Sequence, residues 1–249
     1  MIVCRSKAEI EKLRRSGRIV RQLLEETRQQ VRPGNTTLDL EAFVEKRIAE
    51  LGVRAAFKGY RGYPCCLCVS INQEIIHGIP SGRRRLQPGD IVSLDLGVIL
   101  DGYYGDSALT VPVGDIPEPL ERLLRVTHEC LELGILQAKA GKRVGDISAA
   151  VQMHAEGNGY SVVREFVGHG VGRALHEEPQ VPNYGQPGRG PLLKEGMVIA
   201  IEPMLNTGGA AVRVLDDHWT AVTADGGYSA HFEHMVAITP NGADVLTRM

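Results

Sequence analysis

An internal repeat with an offset of 107 residues constrains the fold of this chain more than any other feature. Leu86–Asp95 aligns with Leu193–Glu202: leucine meets leucine, glycine meets glycine, and a carboxylate meets a carboxylate. The same offset aligns Gly34, Asp39, Ala42, Val44 and Gly52 with Gly141, Asp146, Ala149, Val151 and Gly159. A period this long does not fit a solenoid. The repeat therefore predicts two similar halves packed around a pseudo-twofold axis.

Local patterns in each half predict helices followed by strands. Capping boxes at Ser6–Glu9 and Thr36–Asp39 predict two helix starts, and later helices are predicted over 119–139 and 145–156. The predicted strands are 66–71, 90–100, 103–112, 161–167, 197–205, 211–215 and 233–239. Because no long linker divides the chain, we predict one domain over 1–249, with halves of about 1–112 and 113–249.

Composition narrows the class of protein. The 249 residues are 43% hydrophobic and 23% charged, which is typical of a globular domain with a full core. The net charge of -2 does not indicate nucleic-acid binding. Met1–Arg15 lacks the apolar region of a signal peptide, and no apolar run is long enough to span a membrane. We therefore predict a cytoplasmic protein that binds neither membranes nor nucleic acid.

Two aspartates mark a predicted hairpin in the first half. Asp95 lies in an otherwise apolar strand, where an ionised carboxylate is costly unless it is paired or metal-bound. Asp101-Gly102 is typical of a two-residue hairpin turn, which pairs residue 95 with 108. Asp106 is then a same-face diagonal neighbour of Asp95, with backbones roughly 7–8 Å apart. Both carboxylates could reach one cation, although a solvated hairpin face stays open as the alternative.

The second half adds two glutamates and a histidine. Glu202 ends an apolar run at the repeat position of Asp95, and Glu233 precedes another apolar run. Each alone is typical of an ordinary strand end, but four carboxylates in one cleft would repel each other unless cations lay between them. His169 lies between two glycines, which leave its ring unshielded. This oxygen-rich set suits a pair of Mn, Fe, Co or Zn ions.

These motifs resemble the metal ligands of methionine aminopeptidases. They are SLDLG with Asp95, GDSA with Asp106, GHGVG with His169, IEPM with Glu202 and FEHMV with Glu233. The resemblance covers essentially the whole chain and is to the short type I form. It implies the pita-bread fold, a pseudo-symmetric α/β (α+β) arrangement with an antiparallel sheet flanked by helices. It also implies two divalent metal ions per chain and a monomer.

The resemblance extends to a methionine pocket. The matching substrate-facing residues are His77 in HGIP, His176 in HEEP, Tyr60 and Tyr63 in GYRGYP, Cys68 and Trp219. Two positions depart from the family pattern: Phe57 stands where a small thiol is common, and Leu175 where an aromatic is common. Because both residues are apolar, we expect methionine to remain the preferred side chain in a pocket of changed shape.

The implied reaction is metal-dependent removal of the initiator methionine from nascent polypeptides, with a preference for a small second residue. We expect His176 to hydrogen-bond the developing oxyanion, His77 to lie near the scissile nitrogen, and Glu202 to move a proton to the leaving amine. Nascent N-termini are the expected partners, and action at the ribosome is left open. Two alternatives are an Xaa-Pro-directed peptidase of the same fold and a non-catalytic binding relative.

Overall fold

A computed structural model describes residues 1–248 of the chain. Its α-helices are α1 (Lys7–Arg28), α2 (Thr37–Glu50), α3 (Glu118–Gln137) and α4 (Val144–Gly157). Its strands are β1 (Arg54–Ala55), β2 (Leu67–Ile71), β3 (Glu74–Ile76), β4 (Ile91–Leu100), β5 (Tyr103–Pro112), β6 (Ser161–Val162), β7 (Gly168–Gly170), β8 (Glu177–Val181), β9 (Val198–Ile201), β10 (Met204–Asn206), β11 (Val212–Val214), β12 (Ala221–Thr223), β13 (Ser229–His231), β14 (His234–Thr239) and β15 (Gly242–Val245). Within the described residues, none of the helices combines the length and the apolar composition that crossing a bilayer requires.

The first two helices begin where the sequence predicts. The Ser6 N–H donates to Glu9 Oε2 at 3.0 Å, and the Thr36 N–H donates to Asp39 Oδ2 at 2.7 Å. These bonds satisfy backbone donors that a helix start leaves free. Both capping-box predictions are confirmed, and α3 and α4 lie within about two residues of their predicted bounds.

All strand pairs are antiparallel, as predicted. In the first-half sheet, β4 pairs with β5 along one edge and with β1 and β2 along the other. The larger second-half sheet has the order β15-β14-β9-β7-β8. Two smaller sheets have the orders β13-β10-β6 and β11-β12-β3. Separate apolar cores lie under α1 and α2 and under α3, and Phe232 packs against both cores.

Two strand predictions are wrong in extent. The predicted strand 197–205 is interrupted at Glu202 and Pro203, because proline has no N–H to donate to a ladder. The predicted strand 161–167 shrinks to β6, since its partner β10 has only three residues. The sequence also missed several short strands, including β7, which carries His169.

The 107-residue repeat is visible in the backbone. Helices α2 and α4 have 14 residues each, and their bounds differ by that offset. Thr36 bridges to Arg85 in the first half, and Arg143 bridges to Leu192 at the same relative positions in the second. Gly34 and Gly141 have φ of 92° and 90°, a region that favours glycine. Below, the first half means residues 1–112 and the second half residues 113–248.

Candidate metal centre and adjoining pocket

The β4–β5 hairpin sets the relation between Asp95 and Asp106. Asp95 pairs with Ala108 and Asp106 pairs with Gly97, so the predicted register is confirmed. The two aspartates are diagonal neighbours on one face, which lets short carboxylates converge. The Asp106 side chain is buried, and the Oδ1 atoms of both residues lie buried without a hydrogen-bond partner.

Glu202 and Glu233 lie at adjacent ends of the β9–β14 pair, where Ile201 is opposite His234. Their backbones are fixed by side chains from elsewhere: Asn183 Nδ2 donates to the Glu202 carbonyl at 3.0 Å, and Ser107 Oγ donates to the Glu233 carbonyl at 2.7 Å. The backbone of the β5 hairpin strand also accepts from the Glu233 N–H, through the Ala108 carbonyl at 2.9 Å. These bonds leave both carboxylates free to turn into the space between the halves.

His169 presents one ring nitrogen to the carboxylates. Its Nδ1 donates to the Gly170 carbonyl at 2.9 Å, which assigns the proton to Nδ1 and leaves the Nε2 lone pair available. Nε2 lies 3.5 Å from Glu202 Oε1 and 3.7 Å from Asp106 Oδ2. The flanking glycines permit this placement, because a Cβ at position 170 would lie 2.2 Å from the Glu178 carbonyl oxygen.

Burial governs the electrostatics of this cluster. Desolvation raises the pKa of Asp95 to about 7, and desolvation with repulsion from neighbouring carboxylates raises the pKa of Asp106, Glu202 and Glu233 well above their usual values. Desolvation also lowers the pKa of His169 to about 3, so its imidazole is neutral near pH 7. A buried set of acceptors and one neutral imidazole is a site that divalent cations would stabilise.

All five predicted ligands line one cavity of about 110 Å³ between the halves. Ligand atoms of Asp106, His169 and Glu233 lie within 4.8 Å of one another. The buried, unpartnered Oε1 of Glu233 adds to the two free aspartate oxygens. The donor set therefore fits hard or borderline divalent cations. Four carboxylates carry enough negative charge for two such ions.

A second cavity of about 270 Å³ adjoins the first and is mostly aromatic and apolar. The two cavities share His77, Asp95, Phe166 and His176 as lining residues. The larger cavity is lined by Phe57, Tyr60, Arg61, Tyr63, Cys68, His77, Asp95, Phe166, Leu175, His176 and Trp219. The structure thus brings together the six residues that sequence reasoning assigned to substrate binding and both departures from the family pattern.

Hydrogen bonds and ring contacts hold the pocket walls. The Tyr63 hydroxyl lies 3.1 Å from the carbonyls of both Leu67 and Gly78, either of which can accept its proton, and its ring meets Trp219 edge-on at 5.1 Å. The Tyr60 hydroxyl lies 2.8 Å from His176 Nδ1. These contacts make the pocket a preformed feature of the fold rather than one that a ligand must assemble.

Several lining residues were not assigned by the sequence, and three of them are polar or aromatic. Arg61 and Phe166 line the larger cavity, and His231 lines the smaller one, where its Nε2 is 3.9 Å from Glu202 Oε2. His231 lies two residues before Glu233, a proximity that could have drawn attention to it. Nothing in the sequence distinguishes Phe166 from an ordinary apolar residue, because its place depends on how the chain turns before β7.

The chain is similar to known metallopeptidases. The model of metallopeptidase family M24 matches residues 11–240. Methionine aminopeptidase 1 of Bacillus subtilis is 50% identical over 249 residues, covering 100% of both chains. The methionine aminopeptidase of Clostridium perfringens is 50% identical over 247 residues, covering 99% of both chains.

Solved structures show the same relation. Methionine aminopeptidase from Thermotoga maritima superposes with a TM-score of 0.98 at 48% identity, covering 100% of both chains. Prolidase from Pyrococcus furiosus superposes with a TM-score of 0.80 at 24% identity, covering 99% of this chain and 66% of the prolidase. The second likeness is one of fold, and the two together confirm the predicted pita-bread arrangement.

Proposed function

The chain belongs to metallopeptidase family M24, and on that basis we propose that it removes methionine from the free N-termini of polypeptides. The observation that carries the proposal is the junction of two cavities, one lined by four carboxylates and His169, the other by aromatic and apolar side chains. A methionine side chain in the second cavity would place its own carbonyl beside the first. Relatives named methionine aminopeptidase, 50% identical over the full chain, support this substrate.

Asp95, Asp106, His169, Glu202 and Glu233 would hold two divalent ions, drawn from Mn, Fe, Co or Zn. Such ions, when bound, polarise a carbonyl and lower the pKa of water toward ~7. Two ions match the formal charge of the four carboxylates, whereas one would leave a strongly negative buried cluster. The ligand set and the charge balance therefore support two ions per chain.

The pocket residues would bind the methionine side chain. A thioether is polarisable and packs well against aromatic edges, which Tyr60, Tyr63 and Trp219 supply. Burial raises the pKa of the Cys68 thiol well above its usual value, so this wall stays uncharged. Such a pocket discriminates by shape, and the proposed reaction includes a preference for a small second residue.

His176, Glu202 and His77 would act on the peptide bond. When the Tyr60 hydroxyl donates to His176 Nδ1, the neutral imidazole carries its proton on Nε2 and can donate to the substrate carbonyl oxygen. A Glu202 carboxylate oxygen would accept a proton from water and return it to the leaving amine. His77 lines both cavities, near the position of that amine.

The setting proposed from the sequence is the cytoplasm, where a monomer would meet nascent N-termini. An Xaa-Pro-directed peptidase of the same fold is the alternative that the prolidase likeness raises. The chain's 24% identity to prolidase, against 50% to methionine aminopeptidases, favours the methionine reaction.

The test is release of free methionine from a Met-Ala-Ser peptide by metal-stripped protein to which Mn, Fe(II), Co or Zn is returned separately. An N-acetylated Met-Ala-Ser peptide and a Met-Pro peptide serve as comparisons. We expect metal-dependent release from the free peptide and none from the acetylated one. Cleavage confined to the Met-Pro peptide would instead support the proline-directed alternative. Metal binding without release from any peptide would support a non-catalytic relative.

A further inference from the structure

The segment between β7 and β8 carries Leu175 and His176 to the pocket. The carboxylate that directly follows it, that of Glu177, accepts two backbone hydrogen bonds from this segment. The backbone N–H groups of Arg173 and Ala174 donate to Glu177 Oε1 at 2.9 Å and 3.1 Å. The position of His176 therefore depends on where the Glu177 carboxylate is held.

The other oxygen of that carboxylate, Glu177 Oε2, accepts from the guanidinium of Arg5. The Arg5 side chain is 6% exposed and that of Glu177 18%, so this pair is far less screened by water than a surface pair. The Arg5 N–H donates to the Gly196 carbonyl at 2.7 Å, which anchors the arginine itself. A Cβ at Gly172 would lie 2.2 Å from Arg5 Nη2, so the guanidinium lies directly against the loop.

We propose that Arg5 is a positioning residue for the peptidase reaction: through Glu177 it holds the loop that places His176 at the substrate carbonyl. The inference rests on the proposed function, because it uses the role assigned there to His176. A second contact joins the same loop to β5 of the first half, since Arg173 Nη2 donates to the Tyr103 hydroxyl at 2.9 Å. Loss of the Arg5 charge leaves Glu177 without a rigid partner and lets the loop shift.

The test compares Arg5→Met, which keeps the length of the side chain, with Arg5→Lys, which keeps its charge. The matched control is Arg14→Met, because Arg14 forms a part-buried bidentate pair with Asp244 on β15, at the opposite edge of the sheet from β8. We expect Arg5→Met to lower kcat about tenfold with a smaller change in KM. Arg5→Lys should restore part of that loss. Arg14→Met should lower thermal stability and leave kcat unchanged.

Two further measurements separate this inference from the proposed function. In a His176→Ala background, Arg5→Met should have no further effect on kcat, and an equal tenfold loss in both backgrounds would overturn the inference. If His176→Ala alone leaves turnover unchanged, the role proposed for His176 fails. Amide hydrogen exchange at Arg173 and Ala174 then tests, without reference to turnover, whether Arg5 holds the loop. Faster exchange in Arg5→Met supports this contact, and unchanged exchange contradicts it.

Discussion

The two halves of the molecule build the same framework and then diverge. Up to the equivalent strands β4 and β9, helix bounds, bridges and positive-φ glycines repeat at the 107-residue offset. In the first half the next strand follows after the two-residue turn Asp101-Gly102. In the second half, β9 and its partner β14 are separated by the excursion 202–233, which contributes β10 to β13 and Trp219. The repeat thus supplies carboxylates twice, and the excursion supplies part of the pocket.

This divergence explains how the ligands are held. Asp95 and Asp106 are fixed by the ladder of one hairpin, whereas Glu202 and Glu233 depend on bonds from Asn183 and Ser107 to their carbonyls. The carboxylates at the equivalent positions 95 and 202 therefore need not have the same role.

The largest expected effect comes from replacing the carboxylates at the two equivalent positions, 95 and 202, with the matching amides. We expect Glu202→Gln to lower kcat by about 10²–10⁴-fold, because a proton carrier is removed. Asp95→Asn should chiefly weaken metal binding, so that excess metal restores much of its turnover. The measurement is kcat against metal concentration, with circular dichroism to verify folding. Full recovery of Glu202→Gln in excess metal would show that the two carboxylates are equivalent after all.

Both halves contribute residues to the pocket. Of the two residues that depart from the family pattern, one lies in the first half and the other in the second. Phe57 and Leu175 are both buried in one cluster. Phe57→Cys should enlarge the cavity and raise KM for Met-Ala-Ser about tenfold with little change in kcat. After the site relaxes, the remaining gap should cost the contacts of about one methylene, roughly 1–3 kcal/mol. Adding Leu175→Phe should restore part of the fit. Measured KM values for Met and norleucine peptides that change additively would show that the two positions act separately.

Sequence reasoning succeeded where local chemistry decides the structure. The Asp101-Gly102 turn fixes the β4–β5 register and so the relation of Asp95 to Asp106. It missed β3, β7 and β13, because strands of three residues exist only through distant partners. It also could not foresee Phe166 at the site or the bonds from Ser107 and Asn183, since these contacts join residues far apart in the sequence.

The contact between halves at Ser107 gives a smaller, mainly structural prediction. Ser107→Ala removes the hydroxyl that donates to the Glu233 carbonyl, and we expect a loss of about 1–3 kcal/mol in unfolding free energy with weaker metal binding. Thr127→Val is the control, because it removes a buried hydroxyl that donates to the Leu123 carbonyl within α3. Denaturant unfolding and metal titration measure the two effects. Equal metal affinity in both variants would contradict the role of Ser107 in holding Glu233.

The smallest effect concerns the equivalent helix starts of α2 and α4. Thr36 caps α2 with its side chain, whereas Arg143, at the same place in the repeat, makes no side-chain cap bond. Thr36→Ala should therefore cost about 1 kcal/mol of unfolding free energy, and Arg143→Ala close to nothing.

Hydrogen bonds from Thr36 hold the pKa of Asp39 below its usual value of 3.8. The stabilisation from this carboxylate is therefore present above that value and is lost as the pH falls through the lower pKa of the folded state. The unfolding free energies of wild type and Thr36→Ala should therefore differ less at acid pH than at pH 7. If Arg143→Ala lowers the unfolding free energy as much as Thr36→Ala does, the two helix starts depend equally on capping.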